Sequence, residues 1–291
     1  MFIARYRRAG SEHVRVGVGV HEQVTELDGC ASLAELWALP QSELRAAVAG
    51  ATGESLALAD VEFLAPVDGR TEVWAAGVTY ETSREARVEE SERAATVYEL
   101  VYDADRPELF FKSVAWRVVD PYRPVAVRAD SRVDVPEPEL AVVVNRFGEI
   151  VGYTICNDVS SRTIEGENPL YLPQAKIYQG SCGLGPWVRP AWEVSDPYAL
   201  GISLRISRDG AADWYGEAST SQLHRRLDDL VAYLMRSDTH PDGVVLSTGT
   251  CLVPPPPFTL ADGDVVQIGI DQIGTLTNPV IRGRLDSLDD S

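Results

Sequence analysis

Disulfide chemistry and zinc-type ligand spacing are both missing from this chain. Its four cysteines, at 30, 156, 182 and 251, form no Cys-x-x-Cys. Its four histidines, at 13, 21, 224 and 240, make no metal-like spacing with them. A disulfide-stapled scaffold and a zinc finger are thereby excluded, and reduced thiols in a cytoplasmic protein are the expectation. No stretch nears the roughly 20 apolar residues that cross a bilayer. No long apolar run follows the N-terminal arginines, so no signal peptide is expected. Positive charge is short as well: 26 Lys and Arg stand against 44 Asp and Glu, a net charge of −18. That balance argues against nucleic acid or an anionic membrane as partner. An anionic substrate would need local positive charge or a metal, while a solvated acidic surface accounts for the bulk of the charge.

What is present is an ordinary globular composition, 45% hydrophobic and 24% charged over 291 residues. The length allows one large domain or two smaller ones. Residues 1–65 read as a small α+β N-terminal domain. It has strands over 2–6, 14–20 and 23–27, a helix capped by Ser32 and running to about 39, and a second helix over 42–48. Residues 66–291 read as a catalytic domain that is mainly β with some α. Residues 82–104 have helical spacing and heavy charge. Asp209-Gly210 signals a hairpin. Residues 219–235 read as an amphipathic helix with Leu223, Leu227, Leu230, Val231 and Leu234 on one face. Strands are expected over 72–76, 244–246, 265–270 and 275–276.

One hairpin carries chemistry that counting alone can place. Glu137 and Glu139 lie in Pro136-Glu137-Pro138-Glu139, two residues apart, and so share a face of an extended strand. The prolines favour extended backbone before them. The strand continues through Val144, turns at Asn145-Arg146-Phe147-Gly148 and returns from Ile150. With Phe147 and Gly148 at the centre, 146 faces 149, Glu139 faces Cys156 and Glu137 faces Asp158. Opposed side chains on one face have β-carbons about 4.5–5.5 Å apart. Three carboxylates that close, in a hairpin apolar on both faces, need a counter-charge. All-oxygen ligation points to Mg²⁺, Mn²⁺ or Ca²⁺. A Glu-x-Glu pair on a solvated strand face is the ordinary alternative, and a one-residue slip would turn Asp158 away.

Other residues gather around this trio in type. Lys176, amid apolar neighbours, suits an anionic substrate on a metal or a snorkelling surface position. Thr248-Gly249-Thr250 ends a strand with hydroxyls and amides suited to a carboxylate. Glu108, Lys112 and Ser113 surround Leu109-Phe110-Phe111.

Together these segments resemble the fumarylacetoacetate hydrolase superfamily. The matching pieces are Ala76-Gly77-Val78-Thr79-Tyr80, Phe110-Phe111-Lys112, Glu137-Pro138-Glu139-Leu140, Asn157-Asp158-Val159-Ser160, Lys176, Ser247-Thr248-Gly249-Thr250 and Gly274-Thr275-Leu276-Thr277-Asn278-Pro279. The resemblance implies a mixed β-sandwich roll behind a small N-terminal domain, and a homodimer or dimer of dimers. It implies Mg²⁺ on Glu137, Glu139 and Asp158, chelated by a 2-oxo acid substrate. Family hydrolases carry a histidine where this chain has Ser83. Arg106-Pro107-Glu108 and Pro173-Gln174-Ala175-Lys176 instead resemble the branch of 2-keto-3-deoxy-sugar-acid dehydratases, such as 2-keto-3-deoxy-D-arabinonate dehydratase. That branch implies dehydration of a 2-oxo-3-deoxy sugar acid, such as 2-dehydro-3-deoxy-D-arabinonate, to 2,5-dioxopentanoate through a metal-bound enolate. It implies Glu108 as general acid/base, Lys176 as its catalytic partner, and Thr250, Gly249, Ser113, Arg84 and Tyr80 as substrate contacts. A C–C bond hydrolase or decarboxylase acting on an acylpyruvate-like acid, and Schiff-base chemistry at Lys176, are the alternatives. Gln179-Gly180 and Cys251 depart from the pattern on the substrate side.

Overall fold

Alternation of apolar and polar side chains becomes strand along most of the chain. The computed structural model describes residues 1–81 and 100–285. The N-terminal part has β1 (Phe2–Arg8), β2 (Val14–Val20), β3 (Gln23–Glu26), α1 (Leu33–Trp37), α2 (Gln41–Ala49), β4 (Ser55–Ala57) and β5 (Val61–Leu64). Next come β6 (Glu72–Gly77), β7 (Glu108–Val114), β8 (Val125–Val127), β9 (Asp134–Val135), β10 (Pro138–Val144), β11 (Ile150–Asp158) and β12 (Ser160–Ser161). Helices α3 (Arg162–Glu167) and α4 (Leu172–Lys176) lead into β13 (Cys182–Pro190). The remainder is β14 (Gly201–Arg208), β15 (Ala211–Ser219), α5 (Leu227–Leu234), β16 (Val244–Thr250), β17 (Val265–Ile270) and β18 (Gly274–Arg282).

The large sheet runs β4-β3-β2-β1-β13-β11-β10-β16-β6-β7, with β5 also paired to β1. A second sheet runs β15-β14-β17-β18-β8. The centre of the large sheet is buried on both faces, which is why β10 is apolar without a break from Leu140 to Val144. Leu140, Val142 and Ile155 pack with Leu204, Ile268 and Leu230 of the second sheet and α5. Ala141, Val143 and Cys156 pack on the other side with Leu33 and Trp37 of α1. The protein is thus a mainly β sandwich with a few short helices. The expected boundary at 65/66 falls between β5 and β6. Across it Leu33 and Trp37 share a core with Val73, and Ile3 pairs with Val188.

Two expectations need correction. The helix expected over 219–235 forms only as α5. Ser219 ends β15 and caps a short 3₁₀ turn, accepting from Ser221 N, while Leu223 bridges to Tyr80. Local side-chain capping and a tertiary backbone contact override the apolar period there. The hairpin turn also differs. Asn145, not Arg146, closes it by bonding Glu149 O at 3.0 Å, because its Oδ1 accepts from Phe147 N and Glu149 N and Gly148 adopts φ +78°. That pairing is one residue out of the expected register. A bulge between Val143 and Val144 leaves Val151 unpaired and restores it, so Glu139 does face Cys156. The Asp209-Gly210 hairpin forms with both residues at positive φ, joining β14 to β15.

Candidate metal centre

The restored register brings the three acids together. Asp158 N donates to Glu137 O at 3.0 Å, one step beyond the Pro138–Asn157 pair. One carboxylate oxygen from each of Glu137, Glu139 and Asp158 lies within 4.8 Å of the others, and all three residues are buried. Glycine permits this crowding on the neighbouring strand. Gly249 of β16 has φ +93°, and a Cβ there would lie 1.9 Å from Thr79 Oγ1. Its amide donates to Glu139 Oε2 at 2.9 Å, and Ser247 Oγ donates to the same oxygen at 2.5 Å.

Cations surround two of the three acids. Lys176 Nζ reaches Glu137 Oε2 at 2.6 Å, Asp158 Oδ2 at 3.0 Å and Ser160 Oγ at 2.5 Å. Lys112 Nζ lies 2.5 Å from Asp158 Oδ1 and donates to the carbonyls of Lys176 and Val159. Arg162 Nη2 donates to Glu137 Oε1 at 2.8 Å. Glu139 has no ion-pair partner among the described residues. Burial, and then the charges of Asp158 and Glu137, push its carboxyl well above the usual carboxylate range. A buried all-oxygen trio with one uncompensated carboxylate fits a hard divalent cation. The cleft between these residues, lined also by Gly77, Val78, Phe110 and Thr250, is about 10 Å³, room for one water- or ion-sized occupant. Grooves of about 440 and 510 Å³ lie elsewhere, but among the described residues no metal-ligating cluster lines them. Val78 stands at φ +52°, a strained conformation for a β-branched residue, at the cleft wall.

Two interruptions of the ladders aim these groups. Lys112 is the residue left without a partner by the bulge between β6 and β7. The β10–β16 pairing gains one residue on β16 between Glu139 and Ala141, where Thr248 and Gly249 sit. Bulges re-aim side chains, and both lie beside the trio. Lys112, Arg162, Ser160 and Ser247 were not expected as site residues. The sequence did hold a signal for the first. Among its 26 Lys and Arg only Lys112 and Lys176 are lysine, and both are fully buried. Ser160 and Ser247 fall in segments that resemble the family, which gave them no role, and nothing local in the sequence marks Arg162.

The other expected residues divide. Glu108 pairs with Gly77, and its Oε2 lies 2.0 Å from where a Gly77 Cβ would be, so the missing side chain lets this carboxylate lie against Gly77, which itself lines the cleft. Thr250 lines the cleft, with Oγ1 donating to Pro138 O at 3.0 Å. Ser113 does not line the cleft, its Oγ donating to Val114 O at 3.1 Å, since it alternates with Phe110 and Lys112 along β7. Tyr80 is fully buried against Cys251 rather than lining the cleft. Burial first pushes the Cys251 thiol up to about 12. Arg84, Ser83 and the bulk of the helix expected over 82–104 lie outside the described residues.

A buried carboxylate trio flanked by lysines, on a strand pair at the heart of a mixed β-sandwich, defines a hard-cation site of enzymatic type. The family model for the fumarylacetoacetate hydrolase C-terminal region matches residues 72–281. The chain belongs to the fumarylacetoacetate hydrolase family. It is 52% identical over 224 residues to a probable 2-keto-3-deoxyxylonate dehydratase of Haloferax volcanii, covering 77% of this chain and 76% of the relative. It is 45% identical over 234 residues to 2-dehydro-3-deoxy-D-arabinonate dehydratase of Saccharolobus solfataricus, covering 79% and 78%. A solved 2-keto-3-deoxy-D-arabinonate dehydratase, complexed with magnesium and 2,5-dioxopentanoate, superposes with a TM-score of 0.83 at 35% identity, covering 98% of this chain and all of that one.

Proposed function

We propose that this protein is a Mg²⁺-dependent hydro-lyase that dehydrates a 2-oxo-3-deoxy sugar acid, such as 2-dehydro-3-deoxy-D-arabinonate, to 2,5-dioxopentanoate. The observation that carries this reading is the pairing of the buried Glu137, Glu139 and Asp158 trio with Glu108 across Gly77. The two dehydratase relatives support it. Bound on the trio, Mg²⁺ would act as a Lewis acid toward the ketone of a 2-oxo acid.

The chain's own groups do the rest. Glu108 takes a proton from the methylene beside the ketone and returns one to the departing β-hydroxyl, so that water leaves; the unsaturated oxo acid then isomerises to the aldehyde as the C–H and O–H protons of its terminal carbinol pass to the two alkene carbons. Lys176, held by two carboxylates and Ser160, balances the negative charge that develops on the substrate. Its three N–H groups are all donated, which leaves no lone pair for a Schiff base. Gly249 and Thr250 hold the substrate carboxylate or hydroxyl, while Arg84 as a further substrate contact rests on the family resemblance and Tyr80, packed on Cys251, backs the site without touching the substrate. Residues 66–291 act as the catalytic domain and 1–65 as a module docked on it. That none of the four cysteines is in a disulfide supports a reducing, cytoplasmic setting. Assembly as a homodimer or dimer of dimers rests on the family resemblance.

The test is a panel of 3-deoxy-2-oxo aldonates and acylpyruvates, with and without Mg²⁺, read by substrate loss and by aldehyde formation. Metal-dependent aldehyde from the aldonates is expected. Cleavage of an acylpyruvate without aldehyde from any aldonate would overturn the reading. Glu108→Gln should lower turnover by about 10²–10⁴-fold with Mg²⁺ affinity retained.

A further inference from the structure

Asn157 and Asn278 carry buried polar atoms with no hydrogen-bond partner among the described residues. Asn157 is fully buried, and neither its Oδ1 nor its Nδ2 is bonded. Asn278 is 1% exposed; its Nδ2 donates to Asp120 O at 3.2 Å and Arg123 O at 2.9 Å, and its Oδ1 is unbonded. Those two donated bonds set the orientation of the Asn278 amide, which leaves Oδ1 as the atom on its other side.

Strand alternation places Asn157 on the face of β11 opposite Asp158, the face Ile155 presents to the second sheet. There Asn157 stands directly across from Gly183 of β13. Opposed side chains would begin about 4.5–5.5 Å apart, but Gly183 has none. A Cβ built on it would lie 2.7 Å from Asn278 Oδ1 and 3.3 Å from Val125 Cγ1. Asn278 Oδ1 of β18 therefore reaches into the place a Gly183 side chain would take, on the face where Asn157 stands opposite. No direct bond joins the two amides. Interior amides are seldom left unbonded, because losing their hydration without a replacement is costly. The cradle offers a donor and two acceptors. A cation would satisfy only the oxygens, whereas a water molecule both donates and accepts.

We propose that the unbonded amides of Asn157 and Asn278, which approach one another over Gly183, form a buried hydration site, and that its water ties the strand carrying Asp158 to the second sheet. Asn157 is then a positioning residue for the metal centre; this part rests on reading Asp158 as a ligand. The backbone ladder to β13 is unbroken here, but toward β10 it offers less. Pro138, opposite Asn157, has no N–H to give, and the β10–β16 pairing is interrupted next to it. A link through the side chain of Asn157 secures the pleat that turns Asp158 toward the cleft.

The direct test is a crystal structure of the wild-type protein at a resolution that shows ordered water. A water within hydrogen-bond distance of both asparagines is expected, and its absence, or a direct bond between the amides, overturns the proposal. The second test titrates Mg²⁺ calorimetrically into wild type, Asn157→Leu and Gly183→Ala, each first shown to be folded by circular dichroism. Both variants should bind Mg²⁺ roughly 10-fold more weakly, the low end for groups that orient metal ligands. Turnover at saturating Mg²⁺ should be retained. Unchanged affinity in the folded variants overturns the positioning role. Asp158→Asn is the control: if Mg²⁺ affinity survives in it, the metal reading itself fails and the positioning role falls with it, while the crystallographic result still decides the water.

Discussion

At the scale of single residues, the centre is a problem of charge balance in a place water does not reach. Lys112 shows how narrow the balance is. It is fully buried, it pairs with Asp158, and it also holds the carbonyl of Lys176. Removing one partner of a buried ion pair leaves the other charge uncompensated. Lys112→Met should therefore cost about 3–5 kcal/mol, measured by urea unfolding in the presence of a chelator, with part of the loss recovered on adding Mg²⁺. A loss under about 1 kcal/mol, the range of exposed pairs, would show that the pair is not the strut described here. Asp158→Ala and Glu137→Ala should each abolish Mg²⁺-dependent turnover; activity in metal-free buffer would contradict the site. The trio was legible in the sequence because alternation along a strand is local. Lys112 was within reach too, since a chain so poor in lysine that buries both has a use for them. Arg162 was not, because its pairing with Glu137 depends on where α3 packs.

At the scale of elements, the site depends on where ladders are broken. The turn at Asn145 and the bulge at Val151 each shift the register by one residue, in opposite senses, and the acids meet because the shifts cancel. Gly249 is the tightest point of the β16 bulge. Gly249→Ala would combine a positive φ with a Cβ 1.9 Å from Thr79 Oγ1. It should weaken Mg²⁺ binding by calorimetry more than it lowers the melting temperature, because its amide holds Glu139. A second junction lies at the start of the parallel β6–β16 pair. Asp242 accepts from the Arg70 guanidinium and backbone, and the guanidinium holds its carboxyl below the ordinary value of 3.8. A depressed acid contributes stability above its unfolded pKa and loses it as pH falls through the folded value. Arg70 is exposed, so the effect is small. Thermal melts should show Asp242→Asn slightly less stable than wild type at about pH 7 and equal to it near pH 2. A gap that persists in acid would mean the link is not electrostatic.

At the scale of the whole molecule, both lysines lie in the interior, while among the described arginines only Arg162 is buried with them. An amine-directed reagent should therefore modify no lysine in the folded protein and two after unfolding, counted by mass spectrometry; labelling of Lys176 in the native state would mean that the centre opens to solvent. The sequence by itself determined the mainly β architecture, the carboxylate trio and the family. Side-chain alternation follows from covalent geometry over a few residues, and the motif order spans the catalytic region. The tertiary structure alone decided which charges neutralise the trio, that Ser113 turns away while Glu108 lies against Gly77, and that Leu223 bridges to Tyr80 instead of joining a helix. Those outcomes turn on which distant side chains packing brings within about 3 Å of one another in a dry interior, and no local pattern encodes that distance.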